Sequence, residues 1–175
     1  VADQAAPQIA HEAREIAAAL DTEPLLDRSA GREDVRQRLR DCSLAHLACH
    51  ATFSREHPAA SGLALADGWL TPREILALRM RARLVTLSGC STGRHAVAAG
   101  QELAGLMHAF LSAGASAVLG TLWSAHDAAA YHLMGDFYRR YQCAPAASNA
   151  AACALRDAQR TALERNPHPY FWAPF

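Results

Sequence analysis

Arg83-Leu84-Val85-Thr86-Leu87-Ser88-Gly89-Cys90-Ser91-Thr92-Gly93 decides the fold. Leu84 to Leu87 form a short apolar, partly β-branched run that ends at a glycine, the pattern of a strand buried on both faces in a parallel sheet. The strand stops at Ser88-Gly89, and Cys90 follows at once. Ligands of open parallel sheets bind beyond the carboxyl ends of the strands, so a cysteine there is held by the rigid sheet yet meets solvent. A second run, Leu44-Ala45-His46-Leu47-Ala48-Cys49, ends in the same way on His50. Two such strands side by side bring His50 next to Cys90 across 40 residues of sequence, the juxtaposition a Cys–His nucleophile requires.

The 175 residues fit one domain, and the 51% hydrophobic content is ample for a core. Every one of the 17 basic residues is Arg, which with the many alanines suggests a GC-rich, bacterial genome. A net charge of zero gives no electrostatic case for nucleic acid. The five cysteines (42, 49, 90, 143 and 153) are odd in number and irregularly spaced, with no C-x-x-C. Neither a disulfide framework nor a zinc site is supported, and a reducing cytoplasm is the expected compartment. No signal peptide is visible. Leu103 to Trp123 has the length of a membrane span, but Gly114 splits it into a buried helix and a following strand. No membrane contact is expected.

Around the two strands the chain alternates helix and strand. Pro7 to Leu20 has apolar residues at amphipathic-helix spacing, Leu25-Leu26 is read as the start of a short strand, and Gly31 to Arg40 as a helix with Arg32, Arg36 and Arg40 on a solvated face. Leu63-Ala64-Leu65 forms one arm of a hairpin closing at Asp67-Gly68. Thr71-Pro72-Arg73-Glu74 starts a helix running to about Leu78, with Thr as cap, Pro first and Glu third. Arg94 to Gly100 is read as loop, Glu102 to Ala113 as helix, Ser116 to Trp123 as strand and Ala128 to Tyr141 as a mostly buried helix. Ser148 or Asn149 caps a last helix ending near Arg165, and Tyr170 to Phe175 reads as the start of another strand. The alternation predicts an α/β layered fold with a mostly parallel sheet flanked by helices.

The small polar turn Gly89 to Gly93 is unlike a core packing site, and it can aim backbone N–H groups at a developing oxyanion. His50, followed by the loop Ala51-Thr52-Phe53, is the base or imidazolium partner of the Cys90 thiolate. His46, on the same strand face, is expected to be a buried, hydrogen-bonded histidine. Gly89-Cys90-Ser91-Thr92-Gly93 also matches G-x-S-x-G, which would make Ser91 the nucleophile of a serine esterase. That motif needs a helix directly after the serine and a later acid and histidine. Here a loop follows, and the late histidine, His168, sits in a Pro-rich turn.

Several motifs occur together in order: His46-Leu47-Ala48-Cys49-His50-Ala51, Leu63-Ala64-Leu65-Ala66-Asp67-Gly68-Trp69-Leu70-Thr71, Leu87-Ser88-Gly89-Cys90-Ser91-Thr92-Gly93, Gly100-Gln101-Glu102-Leu103-Ala104-Gly105-Leu106, Leu122-Trp123-Ser124-Ala125-His126-Asp127, and the closing His168-Pro169-Tyr170-Phe171-Trp172-Ala173-Pro174-Phe175. In these the chain resembles the CHAT domain, the caspase-like peptidase family associated with tetratricopeptide repeats. The resemblance implies a caspase–hemoglobinase fold and a Cys–His endopeptidase, and it maps the dyad onto His50 and Cys90. It implies a single peptidase domain over residues 1–175, truncated at both ends, within a parent chain carrying tetratricopeptide-repeat or other regulatory domains. Two positions depart from the family pattern: Ala51 stands where Gly often follows the histidine, and Gly89 where Ala often precedes the cysteine.

By the same resemblance, Ala51 and Gly89 lie at the backbone oxyanion site. Thr121, Leu122, Trp123, Ser124 and Ala125 would add an extended peptide as a strand, and Asp127 would favour a basic side chain in the specificity pocket. The alternative for Asp127 is a helix cap. The expected protein is a cysteine endopeptidase acting on a protein or peptide, through a thioester, with no metal or cofactor. A catalytically silent CHAT-like interaction module is the alternative from another class.

Overall fold

A computed structural model describes residues 7–52, 62–88, 99–123, 125–143 and 149–175. Three parallel strands form the central sheet in the order β1 (Leu44–Ala48), β5 (Leu84–Ser88), β6 (Val118–Leu119). Leu44 to Ala48 faces Leu84 to Ser88 without a slip. Between β1 and β5 in sequence lies an antiparallel meander, β2 (Ala51–Thr52), β3 (Gly62–Leu65) and β4 (Gly68–Leu70); the hairpin expected to close at Asp67-Gly68 turns one residue earlier, at Ala66–Asp67, with Gly68 already in β4. Seven helices among the described residues complete the order: α1 (Pro7–Ala19), α2 (Arg32–Asp41), α3 (Pro72–Leu76), α4 (Ala99–Ala113), α5 (Asp127–Cys143), α6 (Ala150–Arg165) and α7 (Pro169–Trp172).

The alternation of side chains along β5 divides the interior. Val85 and Leu87 pack with α2, α3, α4 and the meander, around Leu39, Leu70, Ile75 and Phe110. Leu84 packs the other way with α1, α5 and α6, around Ile16, Met134, Phe137 and Tyr138. All five residues of β5 are buried, as a central strand covered on both faces must be. This is the α/β layered arrangement, with a parallel sheet flanked by helices, that the caspase–hemoglobinase resemblance implies.

Local chemistry sets the joints. Thr71 caps α3: its Oγ1 accepts from the Glu74 N–H while Glu74 Oε2 accepts from the Thr71 N–H at 2.9 Å. Gly114 ends α4 with φ +114°, and a Cβ there would lie 2.3 Å from the Met80 carbonyl oxygen, so only glycine fits. Three arginines of α2 are ion-paired, Arg36 and Arg40 with Glu33 and Arg32 with Asp67 and Glu74, and Arg38 donates to the Glu23 carbonyl.

Several expectations are corrected. Leu25-Leu26 is no strand; the chain is irregular there and enters a 3-10 turn at Asp27–Ser29, with Leu25 packed on the core. Ala99 and Gly100 already belong to α4, and α3 stops at Leu76. The strand expected over residues 116–123 shrinks to Val118–Leu119, because the Leu122 N–H donates to the Pro174 carbonyl instead of joining the ladder. Asn149 stands at the cap of α6 without a side-chain cap bond, and Ser148 lies outside the described residues. The closing segment is helical, not a strand start: Pro169 sets the first helical φ, and His168 Nδ1 accepts from the Tyr170 N–H at 3.2 Å.

Candidate functional site

β1 and β5 end level, with Ala48 opposite Ser88 on the last rung. His50 lies two residues past Ala48 and is half-buried. Its carbonyl accepts from the Ala64 N–H at 2.8 Å, which fastens the exit of β1 to the meander. That bond also defines the geometry at the next residue. Ala51 and Leu63 face each other in register while the hydrogen bond runs between their neighbours His50 and Ala64, so Ala51 is in a non-hydrogen-bonded pair. Its N–H points away from β3.

Cys90 follows Ser88, the last residue of β5, by two residues in the sequence. Gly89, Cys90, Ser91 and Ser124 lie outside the described residues. Asp127 opens α5 as its first residue. Thr121, Leu122 and Trp123 follow β6, at the same end of the sheet as His50. Leu122 is 67% exposed, but its N–H is engaged by Pro174, so a peptide added along this segment would not use that donor. Thr121 is buried, and neither its Oγ1 nor the buried Nε1 of Trp123 has a hydrogen-bond partner among the described residues.

Beneath the strand ends runs a polar network. Glu12 of α1 is 6% exposed. Its Oε1 accepts from the Ser88 hydroxyl at 2.6 Å and lies 3.0 Å from His46 Nε2. His46 Nδ1 lies 3.1 Å from the Tyr138 hydroxyl, which donates to Thr86 Oγ1 at 2.8 Å. The His46 side chain is 6% exposed and hydrogen-bonded at both nitrogens, as expected for it. Burial holds the Tyr138 phenol well above its ordinary range, and the same cause raises the Cys42 thiol. Glu12 was not legible as a member of this network. The signal it carries is a carboxylate on the apolar stripe of its helix, three residues after Ile9 and four before Ile16.

Among the described residues no group of three His, Cys, Asp or Glu could hold a metal ion, and no helix is long and apolar enough to cross a membrane. A comparison with curated proteins finds no match. The sequence profile of the CHAT domain, a caspase-like family related to peptidases, matches residues 2–175. With its parallel sheet flanked by helices and a match along nearly its whole length, the chain belongs to the CHAT domain family.

Proposed function

We propose that the protein is a cysteine endopeptidase whose dyad is Cys90 and His50. The observation that carries this reading is the level ending of two neighbouring parallel strands, Ala48 opposite Ser88, with His50 and Cys90 each two residues further on. Cys90 Sγ attacks the scissile carbonyl, and its proton passes to His50. Backbone N–H groups at Ala51 and around Gly89-Cys90 hold the oxyanion. His50 protonates the departing amine, a thioester forms on Cys90, and His50 then takes a proton from the water that hydrolyses it. The chemistry needs no cofactor.

Thr121, Leu122, Trp123 and Ser124 are assigned to contact the peptide, and Asp127 to the side chain before the cut. The substrate is a protein or peptide, and regulation falls to tetratricopeptide-repeat or other domains of the parent chain. A bacterial cytoplasm is the setting proposed.

The test is iodoacetamide labelling across pH, mapped residue by residue, on the parent chain and on His50→Ala. An activated dyad gives a Cys90 that labels about tenfold or more faster at pH 6 than exposed Cys143, and that slows in His50→Ala. A Cys90 no faster than Cys143 and indifferent to His50 would point to a silent interaction module.

A further inference from the structure

A parallel sheet covered by helices on both faces should present apolar side chains to each layer. The face of the central sheet under α1 and α5 instead carries His46 on β1 and Thr86 and Ser88 on β5. Two groups from the covering helices bridge these strands. The Tyr138 hydroxyl spans the directly opposed pair His46 and Thr86, at 3.1 and 2.8 Å. One oxygen of Glu12 spans His46 and Ser88, at 3.0 and 2.6 Å.

A carboxylate at 6% exposure is expensive to bury, and an apolar residue of similar size would suit the stripe of α1 as well. What the apolar residue cannot do is fix the two strands by directed bonds. Fully satisfied buried networks of this kind rigidify a unique geometry. The bridged residues stand four before His50 and two before Cys90.

We propose that Glu12, His46 and Ser88 are positioning residues of the dyad: the α1 carboxylate holds the ends of β1 and β5 at one relative height and rotation, and so sets how His50 meets Cys90. This rests on the dyad reading above. None of the three touches substrate. Displacement of reacting groups by an ångström lowers rates by orders of magnitude, so a strut one turn below the site is enough to govern turnover.

The experiment compares Glu12→Gln, Ser88→Ala and Ser88→Thr with the parent chain. Glu12→Gln preserves shape and replaces the carboxyl group that both Ser88 and His46 meet. The expected result is a fall in kcat of about tenfold with KM nearly unchanged, and slower alkylation of Cys90, in Glu12→Gln and Ser88→Ala. Ser88→Thr, which keeps the hydroxyl, recovers most of the rate. Lower melting temperatures with unchanged kcat and unchanged alkylation would make the network merely structural and overturn the proposal.

A second arm needs no catalysis. In His50→Cys, the rate at which added oxidised glutathione closes a disulfide with Cys90 reads the alignment of the strand ends. Slower bridging when Glu12→Gln is added supports the strut, and equal bridging overturns it. Failure of the dyad reading itself shows separately, in the parent chain, as alkylation of Cys90 indifferent to His50→Ala.

Discussion

Ala48 and Ser88 face one another on the last rung of the β1–β5 ladder, so the two chains leave the sheet side by side and at one level. Two segments of unrelated sequence, after Ala48 and after Ser88, therefore start from one level. From it, Cys90→Ala is expected to abolish peptide cleavage, by about a thousandfold or more, while Ser91→Ala stays within a few-fold of the parent chain. Turnover of a fluorogenic peptide checks this. The reverse pattern would hand the nucleophile to Ser91 and the reaction class to serine hydrolysis.

The Tyr138 hydroxyl sits in the core between His46 and Thr86. Tyr138→Phe leaves His46 Nδ1 and Thr86 Oγ1 each short of a partner, and should destabilise the fold by about 1–3 kcal/mol at neutral pH. Thermal unfolding reads this as a drop of about 2–4 °C per kcal/mol for a domain of this size. The pH dependence has a definite sign. Burial raises the phenol in the folded state, so the unfolded chain loses this proton first, near its ordinary pKa of about 10. The contribution is intact below about pH 10 and is lost as pH rises beyond it. Tyr138→Phe removes that loss, so its alkaline limb should be shallower than that of the parent chain.

The parts of the fold legible in the sequence are those whose cause is local. β5 is an apolar run, the hairpin turns within one residue of the expected Asp67-Gly68, and α3 begins where Thr71, Pro72 and Glu74 stand in cap order. Two of the parts missed are decided by distant partners. Leu122 leaves the β6 ladder for Pro174, and Glu12 finds Ser88 from 76 residues away. No local pattern announces either. The station of His50 was legible because a strand end is a local feature. Its surroundings were not, because the Ala51 N–H takes its direction from the pairing with β3.

Thr71 and Glu74 give a second pH-dependent prediction. The Thr71 N–H donates to Glu74, and the Thr71 hydroxyl and nearby Arg32 add to it, so the Glu74 carboxyl is held below its ordinary range. A depressed carboxyl stabilises the fold above its unfolded value of about 4.3, and that stability is lost as pH falls through the lower folded value. Glu74→Gln should cost about 1 kcal/mol at pH 7. In acid the difference from the parent chain should shrink toward zero. Urea unfolding at a series of pH values checks it, and a gap that persists below about pH 3 would mean that the charge is not the source.

Thr121 separates stability from function. It is 3% exposed, and its hydroxyl has no hydrogen-bond partner among the described residues, although it stands just past β6 at the end of the sheet where His50 emerges. A buried hydroxyl without a partner carries its desolvation penalty uncompensated. Thr121→Val keeps the shape and removes the oxygen, so the melting temperature should hold or rise, by an amount corresponding to at most about 1 kcal/mol. If the hydroxyl meets the peptide, the same variant raises KM while the fold gains. A loss of stability of more than about 1 kcal/mol would instead reveal that the hydroxyl has an internal partner in solution, and would remove Thr121 from the peptide-binding set.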